Sequence, residues 1–202
     1  MLDPSVRPDR PLVDVLRKAA ALGVRLFQYR DKQASMKAAY TQALALRQAA
    51  TEAGVCLIIN DRCDLALAVN ADGVHLGQDD LPPALVRRWL APPALIGVST
   101  HDLVQVERAK AEGVADYLGF GPVFPTRSKE RPDPVVGLAG LEEAVRLAAP
   151  LPVVAIGGID QRSLGAIRRT GASGAAVISA YLNAPDPALA LRQLVTQWMA
   201  GA

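Results

Sequence analysis

Short apolar runs alternate with longer amphipathic segments along nearly the whole chain, and this alternation constrains the fold more than any other feature. Seven apolar runs predict strands over 25–29, 55–59, 73–76, 95–98, 117–120, 153–156 and 175–178. Helical segments follow them: 36–53, 103–112, 141–148, 161–170 and 187–199, with shorter helical turns after Arg62 and after Leu81. Near-continuous apolar runs are what strands buried on both faces of a parallel sheet require. Gly54, Gly113 and Gly171 each stand between a predicted helix and the next apolar run, where glycine supplies the left-handed residue that stops a helix.

A further helix over 12–22 precedes the first of these strands. The pattern therefore asks for an eighth strand ahead of that helix, and only residues 1–4 stand there to supply it. Repeated βα units without a long insertion imply one parallel sheet. Eight units close into a (β/α)₈ TIM barrel, here with its first strand short or missing. The chain is at the small end of the roughly 200–400 residues usual for that fold. An open doubly wound sheet is the structural alternative. An absent inner strand would leave its neighbours' edges unpaired. No composition shift or linker divides the chain, so 1–202 reads as a single domain. The one long loop, 121–137, is rich in proline and charge, and loops of that length are usually functional or mobile.

Half of the residues are hydrophobic and 21% are charged, which favours a packed fold over disorder. The net charge of +2 comes from acids and bases mixed along the chain. That pattern lacks the concentrated basic face of a nucleic-acid-binding protein. No apolar run approaches the ~20 residues needed to span a bilayer, and the N-terminal stretch has no apolar core of a secretory signal. Cys56 and Cys63 match no common zinc spacing and read as free thiols of a reducing cytoplasm.

Function shows at one end of the strands. Polar residues or glycines follow the carboxyl ends of the apolar runs: Gln28, Arg30 and Lys32; Asn60 and Asp61; His75, Gln78 and Asp80; Ser99 and His101; Gly119 and Gly121; Gly157 and Gly158; Ser179. In a parallel barrel these ends converge on the face where such enzymes place their chemistry. Gln28, Arg30 and Lys32 alternate, so they share one side of an extended segment and offer two cations and an amide to an anion. Asp61 and Asp80 are too few for an all-protein metal cage. They suit Mg²⁺, which keeps waters and takes ligands from substrate phosphate; helix capping is the structural alternative for each. Thr126, Ser128 and Lys129 put hydroxyls and a cation in the long loop, where a solvated surface is the alternative. Gly157, Gly158 and Ser179 offer backbone N–H groups at the ends of the last two strands, a place where phosphate sites recur in this fold. Two phosphate-binding ends, an expected metal and no evident nucleophile or strong base fit chemistry that stabilises a departing diphosphate. His75 reads as a packed or hydrogen-bonded strand residue, and His101 as support for a loop.

The chain resembles the thiamine-phosphate synthase family. The segments that carry the resemblance are FQYRDK (27–32), IINDRCDLALAVNADGVHLGQDDL (58–81), IGVSTH (96–101), ADYLGFGPVFPTRSK (115–129), VVAIGGI (153–159) and GAAVISA (174–180). The resemblance implies a Mg²⁺-dependent transferase of thiamine biosynthesis, with one metal ion per active site. Such an enzyme joins 4-amino-2-methyl-5-hydroxymethylpyrimidine pyrophosphate to thiazole phosphate and releases pyrophosphate. It implies a dissociative path: the bond to pyrophosphate breaks, a pyrimidine-methyl cation forms, and the thiazole nitrogen attacks it. Residue by residue, it assigns Gln28, Tyr29, Arg30, Asp31, Lys32, Asn60, Ser99 and Lys129 to the pyrimidine pyrophosphate, with Ser99 and Lys129 catalytic. It assigns Thr126, Arg127, Ser128, Gly158, Ile178 and Ser179 to the thiazole phosphate, and Asp61 and Asp80 to the metal. Ser128 stands where the family usually has Thr, which keeps the hydroxyl. Thiazole tautomerases share the fold but generally carry His where this chain has Pro122, and they lack the full diphosphate set. A non-catalytic module that binds thiamine phosphate would have no use for the metal pair. The expected partners are small phosphorylated molecules, with no nucleic acid and no membrane; a homo-oligomer is left open.

Overall fold

The structure is a computed structural model that describes residues 1–126 and 133–200. Seven parallel strands pair strictly with their sequence neighbours: β1 (Leu26–Tyr29), β2 (Cys56–Asn60), β3 (Gly73–Leu76), β4 (Leu95–Thr100), β5 (Tyr117–Phe120), β6 (Val153–Ala155) and β7 (Gly174–Ala175). Between and around them run α1 (Leu12–Ala21), α2 (Met36–Ala53), α3 (Cys63–Ala68), α4 (Pro83–Arg87), α5 (Leu103–Glu112), α6 (Gly137–Ala148), α7 (Leu164–Arg169), α8 (Ser179–Leu182) and α9 (Pro187–Ala200). This sequential parallel order is that of a barrel, and it rules out the open doubly wound alternative, whose strand order reverses partway. β3 and β5 are buried at every position, as strands covered on both faces must be.

Local chemistry sets the helices. The Ser35 hydroxyl accepts from the Ala38 N–H (3.3 Å) to start α2, and Gly54, at φ 64°, ends it. The buried stripe of α2 is Ala39, Ala43, Leu46, Ala49 and Ala50; its small side chains let the helix lie close to its neighbours. Asp102 caps α5 through the Gln105 N–H (2.8 Å).

A repeated device ties the amino ends of the strands. The Asp72 carboxylate, just ahead of β3, accepts the Leu57 N–H of β2 (2.7 Å), while the Asp72 N–H returns to the Leu57 carbonyl (2.9 Å). Asp116, just ahead of β5, does the same with Ile96 of β4 (2.6 and 2.8 Å). Each carboxylate also meets a guanidinium, Arg47 on Asp72 and Arg87 on Asp116. These pairs sit at the barrel end opposite the carboxyl ends of the strands, where barrels place residues that hold the fold.

The first strand is reduced to a few residues. Leu2 bridges Tyr29 in parallel, its N–H donating to the Gln28 carbonyl (2.7 Å) and its carbonyl accepting from the Arg30 N–H (2.9 Å). On the other side the Met1 nitrogen donates to the Val177 carbonyl (2.9 Å), and the Tyr181 hydroxyl donates to the Met1 carbonyl (2.8 Å). Residues 1–3 thus occupy the gap between β1 and β7, and the edges feared open are met.

Boundaries differ from the sequence expectation by two residues or more in four places. β4 continues two residues further, to Thr100. α6 begins at Gly137 rather than 141, through two glycines that weaken the helical signal. α7 begins at Leu164 rather than 161, because Asp160 and Ser163 bond each other reciprocally and hold a turn there. The apolar run 175–178 is strand only at its start: β7 ends at Ala175, Ile178 leaves the extended region (φ −127°, ψ −79°), and Ser179 opens the unforeseen α8.

Leu2 is fully buried at this closure. Leu2→Ala should lower folding stability by about 2–5 kcal/mol, seen as a lower urea midpoint. A loss below about 1 kcal/mol would show that the segment does not pack between β1 and β7.

Candidate active site

The carboxyl ends of the strands bring most of the predicted polar residues to one rim. Asp61 follows β2 at φ 60°, held there by its N–H on the His75 carbonyl of β3 (2.8 Å). It does not cap α3, whose N-cap is Arg62 with no side-chain cap bond. Its carboxylate lies 3.2 Å from the Lys32 ammonium and within hydrogen-bonding reach of the Asp80 carboxylate. Asp80 accepts the Gly77 N–H (2.6 Å) and closes the turn after β3; it too caps no helix, since α4 starts from Pro82. Burial, then the charge of Asp61, push the Asp80 carboxyl above its ordinary value, against the opposing pull of the Gly77 N–H. Among the described residues these two acids meet a single lysine, which leaves an excess of negative charge. That donor set fits a divalent cation completed by water and phosphate oxygen. Among the described residues no cluster of three or more His, Cys, Asp or Glu could hold a metal by itself.

The basic trio is shared differently from the expectation of two free cations. Arg30 is engaged by Asp3, Nη1 to Oδ2 2.6 Å, and Asp3 is almost wholly buried. The closing segment therefore fixes the guanidinium and, among the described residues, leaves the other N–H donors of its fork for a ligand. Lys32 is exposed and pairs with Asp61. Gln28 is half-buried and lies near enough to the Tyr117 hydroxyl to favour its ionised form. Tyr29 and Asp31 fall on the other face. Tyr29 is packed in the hydrophobic core with its hydroxyl on Asp31 (3.3 Å), and Asp31 accepts the Gln33 and Ala34 N–H groups (3.0 Å each). Their visible work is to shape the loop into α2. Asn60, half-buried at the end of β2, stands in register with His75.

His75 and Ser99 form the floor. His75 Nε2 lies 2.9 Å from Ser99 Oγ, and Nδ1 lies 3.0 Å from the Tyr117 hydroxyl. Burial pushes the imidazole down from its ordinary 6.5 to about 4, with Asp80 pulling the other way. The Gln78 side chain donates to the Ser99 carbonyl (2.6 Å). His101 supports a loop as expected: Nδ1 meets the Gly121 carbonyl (2.6 Å) and Nε2 lies 3.5 Å from Asp133.

On the far side, the loops after β5 and β6 are laced together. Val123 N–H donates to the Ile156 carbonyl (2.8 Å) and Phe124 N–H to the Gly157 carbonyl (3.1 Å). A Cβ on Gly157 would fall 2.5 Å from Pro122, and one on Gly158 would fall 2.5 Å from the Pro125 carbonyl oxygen. The glycine pair thus has a packing reason alongside any phosphate role. Thr126 is half-buried at the end of this loop, and Ile178 and Ser179 begin α8 beside the closing segment. Arg127, Ser128 and Lys129 lie outside the described residues.

Two contributors were not foreseen. Asp3 carries no local sequence signal, since its role depends on a contact with a residue far along the chain. Tyr117 was visible in principle: Gly97, in mid-strand opposite it, marks a close approach.

These features define a parallel α/β barrel whose rim is built around paired carboxylates and cations, the class that handles phosphorylated small molecules. Comparison with known proteins narrows this. The profile of the family described as thiamine monophosphate synthase matches residues 2–181. A thiamine-phosphate synthase from Desulfitobacterium hafniense (strain Y51) is 46% identical over 183 residues, covering 91% of this chain and 87% of the relative. One from Chloroflexus aurantiacus is 48% identical over 180 residues, covering 89% and 82%. The solved thiamine phosphate pyrophosphorylase from Pyrococcus furiosus superposes with a TM-score of 0.87 at 37% identity, covering 98% of this chain and 93% of that one. The chain belongs to the thiamine monophosphate synthase family.

His75 gives a pH test. The unfolded chain takes up this proton near pH 6.5 and the folded chain only near 4, so the stability that comes from burying it neutral is complete above 6.5. It falls away between 6.5 and 4, by about 3 kcal/mol. Urea unfolding of the parent and of His75→Gln across that window should show a steeper loss in the parent; parallel curves would mean that the imidazole is not held neutral.

Proposed function

We propose that the chain is a thiamine-phosphate synthase, a transferase that condenses 4-amino-2-methyl-5-hydroxymethylpyrimidine pyrophosphate with thiazole phosphate and releases pyrophosphate. The observation that carries this reading is the Asp61–Asp80 carboxylate pair beside Lys32, one strand end away from the Ser99–His75 pair. The family match supports it across most of the chain.

In this reading Asp61 and Asp80 hold Mg²⁺, which supplies charge neutralisation to the diphosphate when bound. Lys32 and the free N–H groups of Arg30 grip the diphosphate oxygens. Gln28, Asn60 and Ser99 orient the pyrimidine, and Lys129 completes the clamp. Thr126, Arg127, Ser128, Gly158, Ile178 and Ser179 take the thiazole phosphate. The C–O bond to diphosphate breaks with both electrons leaving on oxygen. The thiazole nitrogen then gives its lone pair to the pyrimidine-methyl cation and becomes the ring cation of the product. No proton is lost in that sequence, so no base is needed. A His75 kept neutral down to about pH 4 agrees with this.

The partners are small phosphorylated molecules. No helix among the described residues is long and apolar enough to cross a membrane. A cytoplasmic location belongs to the same proposal, and the two unpaired thiols, Cys56 and Cys63, support it.

Purified protein should release pyrophosphate only when both substrates and Mg²⁺ are present. Release at the same rate without thiazole phosphate would point to a hydrolase. Asp80→Ala should cut turnover by about tenfold or more and raise the Mg²⁺ concentration that the reaction needs; an unchanged Mg²⁺ dependence would remove Asp80 from the metal site.

A further inference from the structure

Below the rim, four polar side chains from four strands cross the barrel interior in one line: Gln28, Tyr117, His75 and Ser99. Tyr117 and His75 are both buried, their ring centroids 5.4 Å apart with planes tilted by 36°. Room for them has been made on purpose by the backbone. A Cβ on Gly97 would fall 2.1 Å from Tyr117 Cζ, 2.4 Å from its hydroxyl oxygen and 2.5 Å from His75 Nδ1. A Cβ on Gly119 would sit 3.1 Å from His75 Cε1. Strands β4 and β5 each give up a side chain exactly where the tyrosine and histidine meet.

The direction of the hydrogen bonds follows from counting protons. A neutral imidazole has one N–H and one lone pair. Tyr117 is buried, burial keeps its phenol protonated, and a buried O–H needs an acceptor. The Tyr117 proton then points to the acceptor 3.0 Å away, His75 Nδ1. With Nδ1 as acceptor, the imidazole proton must be on Nε2, and it is donated to Ser99 Oγ at 2.9 Å. Ser99 receives that bond, so its own proton is left to point elsewhere.

We propose that Tyr117 is a positioning residue for the transfer reaction: by donating to Nδ1 it locks His75 in the Nε2–H form, which makes the Ser99 hydroxyl a donor toward the bound pyrimidine pyrophosphate. The claim about Ser99 rests on the function proposed above; the claim about the His75 tautomer does not. Without the tyrosine hydroxyl, Nδ1 loses its donor, and the imidazole is free to carry its proton there and accept from Ser99. The serine proton would then be turned inward, away from the substrate.

The test uses the full chain labelled with ¹⁵N-histidine. It holds only two histidines, so the His75→Gln variant assigns the signals. Long-range ¹H–¹⁵N correlation should show His75 protonated on Nε2 and bare on Nδ1. In Tyr117→Phe the Nδ1–H form should appear. Turnover should fall by about tenfold, with the KM for thiazole phosphate unchanged. In a Ser99→Ala background the same Tyr117→Phe change should cost nothing further, because both act through one hydroxyl. A merely structural tyrosine would give losses that multiply. Wild-type His75 protonated on Nδ1 would overturn the proposal without any variant, as would an unchanged tautomer in Tyr117→Phe. Should the parent lack synthase activity, the functional reading fails, while the spectra still decide whether Tyr117 sets the tautomer.

Discussion

Two backbone hydrogen bonds made by Leu2 decide whether the sheet is a barrel or an open crescent. A parallel sheet leaves a row of unpaired donors and acceptors along each outer strand. Here the carbonyl of Gln28 and the N–H of Arg30 are both taken by Leu2, and the Val177 carbonyl by Met1. The next side chain along, Asp3, then reaches Arg30. Closure and chemistry are thus joined within three residues: the segment that satisfies the β1 edge also aims the first cation of the rim. A long strand is not needed for this, since the remaining length of β1 is supported by β2 across a full ladder.

The rim itself is held in an electrostatically unfinished state. Asp61 sits in a left-handed conformation that is costly for any residue but glycine, and Asn or Asp tolerate it best. Its N–H is tied to the β3 backbone, and its carboxylate is driven against that of Asp80. Such a contact persists only if the surrounding structure imposes it. In the proposed function a cation held by the two carboxylates would relieve that contact. Lys32 lies beside Asp61 as a counter-charge, on an exposed side chain long enough to reach a phosphate.

How much of this was legible in the sequence depended on the range of the interaction. The strands at 73–76 and 117–120 were readable to the residue, because burial on both faces leaves an unbroken apolar run. The pairing of Asp61 with Asp80 could be anticipated once a barrel was assumed, since the carboxyl ends of adjacent strands must meet. Ile178 shows the opposite case. Its apolar character continues the β7 run, yet the backbone turns there, because the closing segment takes over the edge at Val177. Asp3 was beyond reach for the same reason: nothing within a few residues of it tells that Arg30 will stand alongside. Tyr29 looked like part of a substrate-binding stretch by its position in a motif, while the two-residue period of a strand turns it to the core.

The barrel interior explains why a site with so little acid–base power still contains a histidine. Small barrels normally fill their centres with branched apolar side chains. A buried polar group without a partner costs about 1–3 kcal/mol, so a polar layer survives only if donors and acceptors match throughout. Among the described residues no buried side-chain nitrogen or oxygen lacks a partner. In the line from Gln28 through Tyr117 and His75 to Ser99 each imidazole nitrogen faces a hydroxyl, and in the proposed tautomer the Ser99 proton is left to point to the mouth. Forming a ring cation from a neutral thiazole nitrogen removes no proton, so a basic imidazole would have no task there. A buried neutral one does, as a rigid element with a donor at one end and an acceptor at the other, passing the orientation set deep in the barrel to the hydroxyl at its rim.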